Sequence, residues 1–156
     1  MYTSNEIMML GEILLAVFLG GLVGMERELA GKPAGLRTHM LVAAVSTFLV
    51  AMGDLLLLEF RDKGLADLVR ADPYRIIGAI VTGLSFIGAG TIIRNPNDEK
   101  IEGLTTAASL LFVGAIGISI ALQKFILSIG STLLILIINR GMMVLEKWIN
   151  KKAKAE

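Results

Sequence analysis

Residues 104–122 read LTTAASLLFVGAIGISIAL, and residues 76–93 read IIGAIVTGLSFIGAGTII. Neither stretch carries a charge on any face. A helix needs roughly 17–25 mostly apolar residues to cross a bilayer's hydrocarbon core. A soluble amphipathic helix needs a polar stripe. Both stretches meet the first requirement and fail the second. Three more share their character, at 7–25, 38–58 and 125–145. The chain has 15 basic and 14 acidic residues, and of these the five stretches hold only Glu12, Asp54 and Arg140. The fold class is therefore all-α: a polytopic integral membrane protein with five transmembrane helices. They form a single domain over residues 1–156, with a basic tail at 146–156.

Composition narrows the function. Hydrophobic residues make up 54% of the chain and charged ones 19%, below the ~25% charge of a soluble domain. The absence of cysteine excludes disulfides, thiolate ligands and cysteine nucleophiles. A net charge of +1 gives no reason to expect nucleic acid. MYTSNEIMML has no basic n-region, so no signal peptide is read there. HExxH, GxSxG and GxxxxGK[ST] are all missing, and no strand is predicted before FIGAG at 86–90. The expectation is a protein that is not an enzyme.

Basic residues in the connections set orientation. Arg27, Lys32, Arg37, Arg94, Lys100, Arg140, Lys147, Lys151, Lys152 and Lys154 fall on one side. Arg61, Lys63, Arg70, Arg75 and Lys124 fall on the other. The richer side is the cytoplasmic one, which places the N-terminus outside and the C-terminus inside. EFRDKGLADLVRADPYR, at 59–75, is too long for a tight turn and reads as a short surface helix ending before Pro73. Trp148, beside the lysine tail, suits an interfacial anchor.

A shift of 68 residues lays the opening stretch on a later one without gaps. Phe18-Leu19-Gly20-Gly21 falls on Phe86-Ile87-Gly88-Ala89, and Gly35-Leu36-Arg37-Thr38 on Gly103-Leu104-Thr105-Thr106. Helices one and two would repeat as helices three and four in the same orientation, about an axis along the membrane normal. Glu26 then falls on Arg94, so the two could pair across that axis. Gly20, Gly24, Gly88 and Gly90 would let helices approach closely. Gly35 and Gly103 would let the chain turn, with Thr38 and Thr106 capping the freed N–H groups. Glu26, Arg27, Arg37, Thr38, Arg94, Thr105 and Thr106 thus form a candidate polar cluster at the inner helix ends. The alternative for the arginines is a solvated loop.

Ionisable groups inside a span are costly and are candidates for function. Glu12 and Asp54 lie at matching depth near the outer ends of neighbouring helices. They could share a proton if they lie close, or bind a cation, for which Mg²⁺ would suit because it keeps several waters and uses one or two carboxylates. Alternatively either acid could reach the headgroups or pair with Arg75. Arg140 would snorkel to the interface. His39 is a lone histidine at a helix start.

FLGGLVGMERELAGKPAGLRTHMLV at 18–42 resembles the opening signature of the MgtC/SapB family of bacterial membrane proteins. DPYRIIGAIVTGLSFIGAGTIIR followed by IEGLTTAASLLFVGAIGISIA resembles its second signature. The resemblance implies a protein of the bacterial cytoplasmic (inner) membrane, in a family associated with magnesium limitation and, in pathogens, with virulence. It carries interest to Glu26, Arg27, Gly35, Arg37, Thr38, Arg75, Gly88, Gly90, Arg94, Gly103, Thr105 and Thr106. Two departures stand out. Leu110-Leu111 stands where relatives commonly have a tryptophan, and many relatives add a soluble C-terminal domain that is expected to be missing here. Two functions follow as expectations. One is ion homeostasis, with Mg²⁺ or proton transport as its strongest form. The other is a membrane regulator that binds another membrane protein complex and transports nothing. Self-association into a homo-oligomer within the lipid bilayer is expected, since five helices leave little room for a pore in one chain.

Overall fold

The computed structural model describes the backbone of residues 2–64, 73–94 and 101–153, and the side chains of 5–64, 74–94 and 101–141. Five helices follow in order: α1 (Tyr2–Leu29), α2 (Leu36–Asp62), α3 (Pro73–Gly90), α4 (Leu104–Ala121) and α5 (Phe125–Ala153). Between α3 and α4 stands an unexpected antiparallel pair, β1 (Ile93–Arg94) and β2 (Ile101–Glu102), with Arg94 opposite Ile101. The expected surface helix before Pro73 falls mostly in 65–72, outside the described residues. So do Lys100 and the side chains of Trp148 and the basic tail.

Among the described residues, three helices are long and apolar enough to cross a membrane: Asn5–Leu29, Leu36–Asp62 and Leu104–Ala121. Of the other two, the described residues include the apolar stretches Tyr74–Gly90 and Phe125–Gly141.

The boundaries differ from the sequence reading for local reasons. α1 runs past Met25 because GMEREL contains no breaker, and Gly31 at φ +65° ends it in the left-handed region. There Gly31 N–H bonds to Glu28 O and Lys32 N–H to Arg27 O, each at 3.0 Å. α3 stops at Gly90 rather than 93, because the Thr91 backbone N–H and hydroxyl both donate to Gly88 O, at 2.9 and 2.7 Å. The β-branched pair Ile92-Ile93 then favours an extended backbone. α5 continues as helix through Ala153, well into the expected tail.

The packing sets out two hairpins. A Cβ added at Gly20 would lie 2.7 Å from His39 O, and one at Gly24 would lie 2.8 Å from Leu36 Cα, so α1 and α2 run antiparallel in near-backbone contact. Gly88 against Ala107 and Leu84 against Gly114 set α3 antiparallel to α4. Between the hairpins, His39 meets Ser109 and Thr47 meets Gly117, so α2 and α4 run in the same direction. The two hairpins therefore share one orientation, and α2 and α4 form the central seam. Both seam contacts join residues 70 apart, close to the 68-residue shift. Gly90 departs from its expected role, since a Cβ there would meet nothing within 4 Å.

The core is small and tightly packed: Ala16, Leu19 and Val23 of α1, Val42 and Ala43 of α2, Leu110, Val113, Ile116 and Ile120 of α4. The outside is oily. Ile126 is 91% exposed and Phe86 84%, while Glu26, Arg27, His39, Ser46, Thr47, Thr106 and Ser109 are buried. Large apolar surface outward with polar groups inward is the arrangement a lipid solvent favours.

Candidate functional site

The polar groups inside the bundle concentrate where the C-terminal end of α1 meets the N-terminal ends of α2 and α4. Arg27 is the largest fully buried side chain among the described residues, at 2% exposure, and Glu26 beside it is at 6%. Neighbouring residues on a helix point about 100° apart and do not normally face each other. Here both bend to form a two-pronged pair: Arg27 Nε donates to Glu26 Oε2 and Nη2 to Oε1, both at 2.6 Å. Planar guanidinium and carboxylate match in this fork geometry. The positive charge also suits the negative end of the α1 dipole.

His39 lies beside this pair and is fully buried. Its Nδ1 is 2.9 Å from Gly35 O and its Nε2 2.7 Å from Ser109 Oγ. A carbonyl only accepts, so Nδ1 carries a proton. In the neutral ring Nε2 then accepts from the Ser109 hydroxyl, and in the imidazolium it donates. One turn away on α4, Thr106 Oγ1 is buried with no hydrogen-bond partner. Glu28 caps α2 from outside, its Oε2 accepting from Leu36 N at 2.8 Å.

Down the α2–α4 seam, Thr47 Oγ1 lies 3.0 Å from Ala43 O and 2.9 Å from Gly117 O, tying the helices together. Ser46 Oγ is buried without a partner beside Gly114. Ser119 Oγ meets Ser128 Oγ of α5 at 2.7 Å. From Thr106 to Ser119 the polar groups span about 20 Å of helix rise. Past the far end of α4, Gln123 Nε2 donates to Glu12 Oε1 at 3.3 Å. Glu12, Asp54, Asn5 and Gln123 border a hollow of about 170 Å³.

The expected site residues fare differently. Glu26, Arg27 and Thr106 come together in the buried cluster, and Thr38 sits half-buried at its edge. Arg37, Arg94 and Thr105 are exposed and stand apart. Glu26 pairs with Arg27 and not with Arg94, because Arg94 is carried outward on β1. Thr38 and Thr106 do not cap: the N-cap residues are Gly35 and Gly103, neither helix start has a side-chain bond from its N-cap, and Glu28 serves α2 instead. Gly103 does turn the chain, at φ +88° and against Thr91. Glu12 and Asp54 share a hollow as their depths required, yet only Glu12 is buried. Among the described residues no group of three or more His, Cys, Asp or Glu stands ready for a metal ion. Arg140 is exposed on α5, and with Glu26 it lines a cleft of about 420 Å³ between α1 and α5. His39 and Ser109 are the residues that sequence reasoning undervalued.

The MgtC family profile matches residues 13–148. Over 133 residues, 81% of the chain, it is 41% identical to "Putative magnesium transporter YhiD" of Escherichia coli (strain K12), covering 57% of that protein. It is 34% identical to Protein SapB of Bacillus subtilis (strain 168) over 123 residues, 79% of the chain and 51% of the relative. To Protein MgtC of Salmonella typhimurium (strain LT2) it is 33% identical over 129 residues, 81% of the chain and 49% of the relative. The chain thus spans about half the length of these relatives. No solved structure matches it. The resemblance read from GMERELAGKPAGLRT and GLTTAA is therefore borne out across nearly the whole sequence, and this membrane protein belongs to the MgtC family.

Proposed function

We propose that the chain serves magnesium homeostasis in the bacterial cytoplasmic membrane, acting through the Glu26–Arg27–His39–Ser109 cluster. The observation that carries this reading is the buried ion pair. Ionisable side chains enclosed within a membrane bundle are expensive to keep and mark functional sites by default. Magnesium itself is taken from the name of the Escherichia coli relative. In this reading all five helices cross, the N-terminus is outside, and the cluster faces the cytoplasmic side with the basic connections. Single chains associate, since the seam between α2 and α4 is packed.

The test is growth at limiting Mg²⁺ of cells lacking the gene, with and without the chain supplied from a plasmid. A growth deficit that the chain repairs, and that excess Mg²⁺ abolishes, is expected. Equal growth with and without it at every Mg²⁺ level would overturn the reading.

One observation favours a non-transporting regulator over a carrier within this role. Apart from Ser46, Thr106 and Asn139, the buried polar side chains bond to other side chains or to helix carbonyls, and no metal-ready group of three is found among the described residues. Purified chain in liposomes loaded with a Mg²⁺ indicator separates the two. Flux that Arg27→Gln abolishes supports a carrier. A tight seal, with a membrane partner recovered by crosslinking, supports the regulator.

A further inference from the structure

A further hollow plays no part in the site above. It is a groove of about 600 Å³ between α2 and α3. Its walls are apolar, and Leu49, Leu56 and Ile87 along it are 44–49% exposed, so it opens to the surroundings. Two lining residues are polar. Ser46 turns its Oγ toward Gly114 of α4, away from the groove. Arg75 is exposed beside the start of α3 and makes no ion pair among the described residues.

Length identifies the occupant. From Val45 to Leu56 the groove follows α2 for about 16 Å. That is half of the ~30 Å hydrocarbon core, the depth of one leaflet. A crossing helix from a partner or a second copy would run the full thickness. An acyl chain runs half of it, beginning at a headgroup, and the single cation stands at the end where α3 starts. We propose that this groove binds one anionic phospholipid, with an acyl chain along α2 and its phosphate on Arg75. The inference is independent of the magnesium reading.

Two glycines of α3 make it testable. A Cβ at Gly83, on the groove wall, or at Gly78, off it, meets nothing within 4 Å. Gly83→Leu therefore fills the groove, while Gly78→Leu adds the same bulk elsewhere on the helix. The measurement is native mass spectrometry of the full chain released from nanodiscs of equal phosphatidylglycerol and phosphatidylcholine. The unsubstituted chain and Gly78→Leu should retain one phosphatidylglycerol. Gly83→Leu should lose it, and Arg75→Gln should lower the preference for phosphatidylglycerol roughly five-fold. Retention unchanged in Gly83→Leu would overturn the site, and so would a dimer in the unsubstituted chain that Gly83→Leu alone dissolves. Equal retention of both lipids by the unsubstituted chain would overturn the role of Arg75.

Discussion

Arg27 carries more consequence than any other side chain here. It is enclosed at 2% exposure and its only charged partner among the described residues is its chain neighbour. Removing one member of a buried pair leaves the other charge uncompensated, at a cost of about 3–5 kcal/mol. Neutralising both avoids that cost. Arg27→Gln and Glu26→Gln should each lower unfolding free energy in detergent by about that amount, and the double variant by much less. Additive losses in the double variant would mean that the pair is not formed. The sequence made these two residues conspicuous, because an acid-base doublet interrupts an apolar glycine-rich run. It did not reveal their pairing. The repeat placed Glu26 opposite Arg94, but a shift in register says nothing about side-chain rotamers or about an intervening β pair. His39 was harder still to read. Its partner Ser109 lies 70 residues away, and one hydroxyl in TTAASLL carries no signal of its own.

Among the elements, the helices were legible and their ends were not. Five apolar runs gave five helices because length and hydrophobicity alone decide them. The four extra residues of α1 matter most, since they turn Glu26 and Arg27 from loop residues into helical ones. Glycines were half legible: the pattern marked candidates for close contact, and only packing separates the used from the unused. Gly20→Ala places a methyl 2.7 Å from the His39 carbonyl oxygen, so α1 and α2 must separate, at about 1–3 kcal/mol. Gly90→Ala meets nothing within 4 Å and should be neutral or slightly stabilising through helix propensity. Thermal unfolding of the two variants in one detergent checks this, and equal destabilisation would refute the assigned α1–α2 contact.

For the whole molecule, the shared direction of α2 and α4 fixes the orientation of one hairpin once the other is known. The gapless 68-residue shift made that architecture readable in advance, while the groove between α2 and α3 was not, because it arises from how far apart two apolar helices settle. Orientation in the membrane is checked with single cysteines, which the cysteine-free chain allows. Lys32→Cys and Lys124→Cys sit at exposed turns at the two ends of the bundle. In intact cells a membrane-impermeant thiol reagent should label Lys124→Cys and spare Lys32→Cys; the reverse pattern would invert the topology.

The claim on which the functional account turns is that the Glu26–Arg27 pair works as well as holds. The direct measurement is growth at limiting Mg²⁺ of cells that depend on the Glu26→Gln, Arg27→Gln double variant, with its folded level in the membrane measured alongside. A folded protein, present at normal abundance, that fails to restore growth is expected. Full restoration by that double variant would show the charges to be structural ballast and contradict the account.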